Sequence, residues 1–314
     1  MTELLSVVIP THDRPDRLGA AVASVLDQDH PALEVVIVDD GSQPATAELL
    51  DRLTADDRRV VVVRHDEPQG ASAARNAGIA AARGELIGFC DDDDVWLPGA
   101  AVATVGALSP GTGMAYGYHQ VNVEATGRLV TFRPPPCTGA ELMRWINVPS
   151  ILFGVARRDR VGPELAFDPD LVTSEDWDLW LRCAELAPLV LVPTPVYRYV
   201  QHTGTRVTTS LSTHADGHRR FLEKHRASMT PACIAHHELA DALATRDRRA
   251  GIAQLEAVVH HPANLGSAAL LAGQLVATRV GPRRDDPGLS LRLAARALGP
   301  ATRPLTGHGP WRGR

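Results

Sequence analysis

Short apolar runs alternate with longer amphipathic stretches over the first hundred residues. Ser6-Val-Val-Ile9, Val35-Val-Ile-Val38, Val60-Val-Val-Val63 and Leu86–Cys90 read as strands without polar alternation. Between them, apolar positions recur at helical spacing: Leu18, Val22, Val25 and Leu26 within Arg17–Leu26, then stretches near Ala45–Leu53 and Ser72–Ala82. Unbroken strands separated by helices of about ten residues predict βαβ units and a parallel sheet covered on both faces. From Ser109 to Pro136, glycine and proline punctuate segments such as Met114–Gln120 and Leu129–Phe132, the pattern of a loop-rich insertion with a few antiparallel strands. A short helix is expected over Thr138–Ile146 and a strand over Ile151–Val155. Thr173 or Ser174 then caps a helix that opens Glu175-Asp-Trp-Asp-Leu-Trp-Leu-Arg182, with Trp177, Trp180 and Leu181 as its packed face. Leu189–Val192 and Val196–Val200 read as two strands flanking Pro193 and Pro195. From about Thr213 the chain is helical and rich in Ala and Leu, which divides it into residues 1–212 and a helical region 213–314.

In doubly wound sheets, ligands sit at the carboxyl ends of the strands. Pro10-Thr-His-Asp-Arg14 follows the first strand, Asp39-Asp-Gly-Ser42 the second, and Asp91-Asp-Asp-Asp94 the fourth. Each alone is explained by a turn or a helix cap. Together they put three polar, mainly acidic clusters at one sheet edge. The run Asp91–Asp94 is the most informative, because a turn or cap needs one carboxylate and not four. Like charges concentrated there point to a hard divalent cation, Mg²⁺ or Mn²⁺, with a solvated acidic turn as the alternative. A calcium loop is excluded by the missing glycine and the wrong spacing. Gly70-Ala-Ser-Ala-Ala-Arg-Asn-Ala-Gly78 is a flexible turn entering a helix. Its Arg75 either reaches a phosphate or a carboxylate, or only pairs with Asp39 or Asp40. A dinucleotide fingerprint fails, because Tyr116 stands where a third glycine is required after Gly111 and Gly113.

Composition narrows the classes. The 314 residues are 44% hydrophobic and 22% charged, enough for a packed core. A net charge of −5 argues against an overall basic nucleic-acid binder. No apolar stretch reaches the length of a membrane span, and Glu3 with Pro10 marks the start as a buried strand instead of a signal peptide. Cys90, Cys137, Cys183 and Cys233 form no CxxC pair, so a reducing cytoplasm is the simplest setting. Lys224 is the only lysine, which all but removes a Walker loop. Eight Arg against two Asp between Arg279 and Arg314 leave peripheral contact with an anionic membrane, contact with an anionic acceptor, or a solvated, partly disordered tail as the readings of that end. His236-His237 and His260-His261 lack metal-site spacing and are expected to be surface histidines on helices.

The strings Ser6-Val-Val-Ile-Pro-Thr-His-Asp-Arg14, Val38-Asp-Asp-Gly-Ser42, Ala74-Arg-Asn-Ala-Gly78, Phe89-Cys-Asp-Asp-Asp-Asp94 and Ser174-Glu-Asp-Trp177 resemble the inverting glycosyltransferases of family 2. The resemblance covers roughly residues 4–210. It implies an α/β GT-A fold, a Rossmann-like, mainly parallel sheet flanked by helices, with residues 1–212 as the catalytic domain and a helical C-terminal extension. It implies a nucleotide-sugar donor, most often UDP-linked, an unspecified acceptor, and Mn²⁺ or Mg²⁺ as cofactor. Asp40 would contact the donor's base, with Pro10 and Thr11 lining that pocket; Arg14 and Arg75 join the donor-binding set. Asp91 and Asp92 would hold the ribose side and Asp93 the metal, with His202 as a further metal ligand or a plain loop histidine. Asp176 would be the catalytic base. His12-Asp13 departs from the family's commoner Tyr-Asn, and Cys90 from an aliphatic residue; neither removes a group the chemistry needs. Two rivals stand beside this reading. A sugar-phosphate nucleotidyltransferase would carry a Gly-rich basic loop after the first strand, which is lacking here. A non-catalytic nucleotide-sugar binder would have no need of both Asp93 and Asp176.

Overall fold

In the computed structural model, β1 (Leu5–Thr11) lies between β2 (Leu33–Asp40) and β4 (Leu86–Phe89), parallel to both. β3 (Val60–His65) extends the parallel set beyond β2. Val7, Val8, Ile9 and Val35 through Val38 are fully buried, as expected of strands covered on both faces. The helices between them are α1 (Pro15–Leu26), α2 (Pro44–Asp56) and α3 (Ala71–Ala81), and prolines start α1 and α2 where the missing N–H costs nothing. α3 packs so closely that a Cβ on Gly78 would run into Val8 and stand 3.1 Å from Val38.

Beyond β4 the sheet becomes mixed. The order is β3-β2-β1-β4-β8-β6-β9-β5, with β7 paired to β6. β5 is Val95–Trp96, β6 Met114–Val123, β7 Arg128–Phe132, β8 Gly154–Arg157 and β9 Leu189–Gln201. β8 runs antiparallel to β4 and β6, while β6 and β9 are parallel. The two strands expected around Pro193 and Pro195 are one strand. Its pairing with β6 shifts register around Gly117, Tyr118 and His119, and this irregularity absorbs two residues that cannot donate to a ladder. Among the described elements, β5 and α4 (Ala100–Ala107) escaped the sequence pattern, as did a four-residue helical turn at Arg158–Val161. β5 is two residues long, and α4, Ala-Ala-Val-Ala-Thr-Val-Gly-Ala, has no polar face to give a helical period. α5 (Glu175–Leu186) buries Trp177, Leu179, Trp180 and Leu181, and α6 spans Leu211–His225.

The structure describes residues 2–134, 138–140, 154–201, 211–231, 233, 234, 237 and 238. The helix expected over Thr138–Ile146, most of the strand expected from Ile151, His202, His236, His260-His261 and the basic end therefore lie largely or wholly outside the described residues. The chain divides into two compact units, Met1–Gly217 and His218–Arg314. In the second, His237 is 1% exposed and its Nδ1 lies 3.0 Å from His218 Nε2, so it is a packed histidine and not the surface group expected. No helix among the described residues is long and apolar enough to cross a membrane.

Candidate active site

The parallel register sets the site. Thr11 pairs with Asp39, Asp40 with His65, and Val8 with Phe89, so the carboxyl ends of β1, β2 and β4 converge on one edge. Cys90 N–H continues the ladder to Val8 O at 3.0 Å, and the chain then turns, with Asp94 N–H donating to Asp91 O at 3.2 Å. The four acids fold into different surroundings. Asp91 Oδ1 accepts from Arg75 Nη2 at 2.8 Å. Asp92 accepts from Thr11 Oγ1 at 2.8 Å and Arg14 Nη1 at 3.0 Å, and the same Nη1 donates to Asp93 Oδ2 at 2.8 Å. Asp94, 1% exposed, accepts from Tyr197 Oη at 3.0 Å and from the Val200 N–H at 2.7 Å, which ties the turn to β9.

Asp91, Asp93 and Asp94 each offer an oxygen within 4.8 Å of one another. Three hard oxygen donors suit Mg²⁺ or Mn²⁺, so the residues fit the ion inferred from the acid run. Without a cation the cluster is electrostatically costly. Burial pushes Asp92 up to about 6 against the pull of Arg14 and Thr11, and burial with the neighbouring carboxylates pushes Asp94 up to about 8. Within the acid run the family resemblance assigned roles only as far as Asp93, and it gave Tyr197 none. Asp94 was visible as the last of the acid run, whereas nothing in sequence marked Tyr197.

On β2, Asp40 accepts from the N–H groups of Gln69 (2.9 Å) and Gly70 (2.8 Å), and its Oδ1 is 2.7 Å from His65 Nδ1. Its carboxyl is held below the ordinary range, because these donors outweigh burial. Asp39 caps the Ser42 N–H at 3.0 Å. Gly41, at φ +71°, must be glycine: a Cβ there would lie 2.7 Å from Pro68 N. Asp13 also has a positive φ, 54°, and Oδ1 of its side chain accepts from the Gln43 N–H at 2.6 Å. Pro10 sits in register with Val38 at the end of β1.

Arg75 does not pair with Asp39, which holds the Ser42 N–H and lies 4.0 Å from Arg64 Nε, or with Asp40, which holds the Gln69 and Gly70 N–H groups. It is 6% exposed and bridges Asp91 to Glu175, with Nη1 3.3 Å from Glu175 Oε1 and the guanidinium 5.2 Å from the Phe167 ring centroid. Its Nε is buried without a hydrogen-bond partner. Through this bridge the first turn of α5 is held beside the acid cluster. Ser174, the residue preceding α5, adopts φ 64° and makes no side-chain cap bond, so it does not cap the helix as expected. A non-glycine residue there stores on the order of 1 kcal/mol. Asp176 is half-buried, and Oδ1 accepts from the Trp177 N–H at 2.7 Å. Burial and the Asp176 charge push Glu175 up to about 7, although Arg75 pulls the other way. Asp178 is fully buried, and its Oδ2 accepts from Arg182 Nε at 2.9 Å, so it belongs to the packing of α5. Arg198 donates from Nε and Nη2 to Gln120 Oε1, both at 3.1 Å.

Residues 6–133 match glycosyl transferase family 2. Over 93 residues the chain is 41% identical to the putative teichuronic acid biosynthesis glycosyltransferase TuaG of Bacillus subtilis, covering 30% of this chain and 37% of that protein. Over 181 residues it is 25% identical to the UDP-Glc:alpha-D-GlcNAc-diphosphoundecaprenol beta-1,3-glucosyltransferase WfaP of Escherichia coli, covering 57% and 70%. The first curated relatives are matched over about a third of their own length, 37% and 32%. Among solved structures, the mannosyltransferase PcManGT of Pyrobaculum calidifontis, in complex with GDP-Man and Mn²⁺, superposes with a TM-score of 0.62 at 19% identity, covering 95% of this chain and 87% of that one. The fold is that of GT-A glycosyltransferases.

Proposed function

We propose that this chain, whose residues 6–133 match glycosyl transferase family 2, transfers a sugar from a nucleotide-sugar to an acceptor hydroxyl by single displacement with inversion. The observation that carries the reading is the Arg75 bridge. One guanidinium joins Asp91, in the acid cluster, to Glu175, one residue before Asp176. A carboxylate base and a cation-binding cluster therefore share one site.

Asp40 with Pro10 and Thr11 is assigned to the nucleoside end, supported by their place at the ends of β2 and β1. Asp91 and Asp93, with Asp94 behind them, would hold the divalent ion; Thr11 donates to Asp92, which in turn orients Arg14. When bound, the ion stabilises the charge that develops on the departing diphosphate. Asp176 takes the proton of the acceptor hydroxyl, help worth about 10²- to 10⁴-fold in rate. No covalent enzyme intermediate is needed, which gives inversion. His202 is retained as a proposed further ligand. A UDP-linked hexose and a cell-envelope glycan acceptor are the inferred substrate classes, supported by the names of relatives that act from UDP-Glc on diphosphoundecaprenol-linked sugars. Such an acceptor would bring the protein to the cytoplasmic face of a membrane.

The test is Asp176→Asn, which keeps shape and removes basicity. Turnover should fall about 10²-fold or more, with UDP affinity in Mn²⁺ and melting temperature close to wild type. Undiminished turnover would remove Asp176 from the chemistry.

A further inference from the structure

Among the described residues, the guanidinium groups of Arg75 and Arg14 touch the acid cluster, and they differ in exposure. Arg75 has 7% of its side chain exposed, stacks over Phe167 and holds Glu175 as well as Asp91, so its departure would break the link to α5. Arg14 has 33% of its side chain exposed and sits just ahead of the first turn of α1. A single nitrogen, Nη1, reaches Asp92 Oδ1 at 3.0 Å and Asp93 Oδ2 at 2.8 Å. Asp93 is one of the three carboxylates that converge for a cation. Asp92 is not, and it keeps a second hold on β1 through Thr11 Oγ1 at 2.8 Å.

These positions set up a competition. A guanidinium in contact with Asp93 repels an arriving dication and occupies one of its donors. We propose that Arg14 is the exchangeable internal cation of this site: it neutralises Asp92 and Asp93 when no divalent ion is bound, yields Asp93 to the ion, and turns to the diphosphate of the arriving nucleotide. Metal and nucleotide then bind as an interdependent pair. The ion alone must displace Arg14 from Asp93, whereas the ion with a nucleotide gives Arg14 new oxygens to bind. Release of the nucleoside diphosphate reverses the exchange and returns Arg14 to Asp93. The role rests on the glycosyl-transfer reading of the acid cluster, and it concerns binding alone.

Mn²⁺ titration of the full chain, followed by the electron paramagnetic resonance signal of the free ion, tests it with and without UDP. Arg14→Gln removes the charge and should bind Mn²⁺ alone about tenfold tighter or more. The tightening of Mn²⁺ by UDP should shrink by a similar factor in that variant. Arg14→Lys keeps the charge and should stay near wild type in both arms; Arg14→Met replaces Arg14→Gln should the latter fail to fold. Equal or weaker Mn²⁺ affinity in Arg14→Gln, with normal binding to wild type, overturns the exchange and leaves the metal reading intact. Absence of Mn²⁺ binding to every chain overturns both.

Discussion

Glu175 is the residue whose ionisation the site leaves most exposed to test. Burial and the neighbouring Asp176 raise it from the ordinary 4.5 to about 7, despite Arg75. A carboxyl raised on folding contributes stability that is fully present below its ordinary value and lost as pH rises through the folded one. Wild type should therefore lose melting temperature between roughly pH 4.5 and 7.5 more steeply than Glu175→Gln, whose amide does not titrate. Parallel curves in a thermal melt series across that window would show that Glu175 titrates alike in the folded and unfolded chain. At this scale the sequence was partly legible. Four adjacent carboxylates announce themselves, and Asp176 was marked by its family motif. The partners of Arg75 were not legible, because Glu175 lies 100 positions away and only the folded sheet edge brings them together. The same holds for Tyr197, whose hydroxyl meets Asp94 across 103 positions.

At the scale of elements, the first turn of α5 puts two carboxylates in different surroundings. Asp176 stays half-buried at the site, while Asp178 is sealed under the helix against Arg182, which also binds Glu164 Oε2 at 3.0 Å. Breaking a buried ion pair by removing one partner costs on the order of 3 kcal/mol. Asp178→Asn should therefore reduce the unfolding free energy by about that much, read as a lower denaturant midpoint, and leave the turnover of the folded fraction near wild type. A large loss of turnover without loss of stability would move the base from Asp176 to Asp178. α3 offers a second check. Gly78→Ala adds a Cβ into Val8, so it should destabilise by about 1–3 kcal/mol of overpacking despite the better helix propensity of alanine. A denaturant midpoint at or above wild type would mean that α3 can lift from the sheet freely. The parallel strands were legible because burial on both faces leaves unbroken Val and Ile runs. β9 was misread as two strands, because a register shift that accommodates Pro193 and Pro195 has no signature in a single strand's own sequence.

For the molecule as a whole, function follows from topology. Parallel pairing of β1, β2 and β4 delivers Thr11, Asp40 and the acid turn to one edge, and the mixed half of the sheet supplies β9 to anchor Asp94. The convergence of strand-end clusters was readable from the order of strands and helices; the mixed half was only sketched, since its pairings join distant segments. Chelation with excess EDTA should stop transfer, and Mn²⁺ or Mg²⁺ should restore it, as followed by release of nucleoside diphosphate; full activity in EDTA would remove the ion from the mechanism. The central claim is single displacement at the anomeric carbon, and the anomer first released from an α-linked UDP-sugar reports on it directly. In the presence of Mn²⁺, proton NMR recorded before mutarotation should show the β-sugar appearing first, whether water or an added acceptor receives it, and Asp176→Asn should slow its appearance about 10²-fold. An α-sugar formed first would contradict the account, as would a β-sugar formed at the same rate by the Asp176→Asn chain.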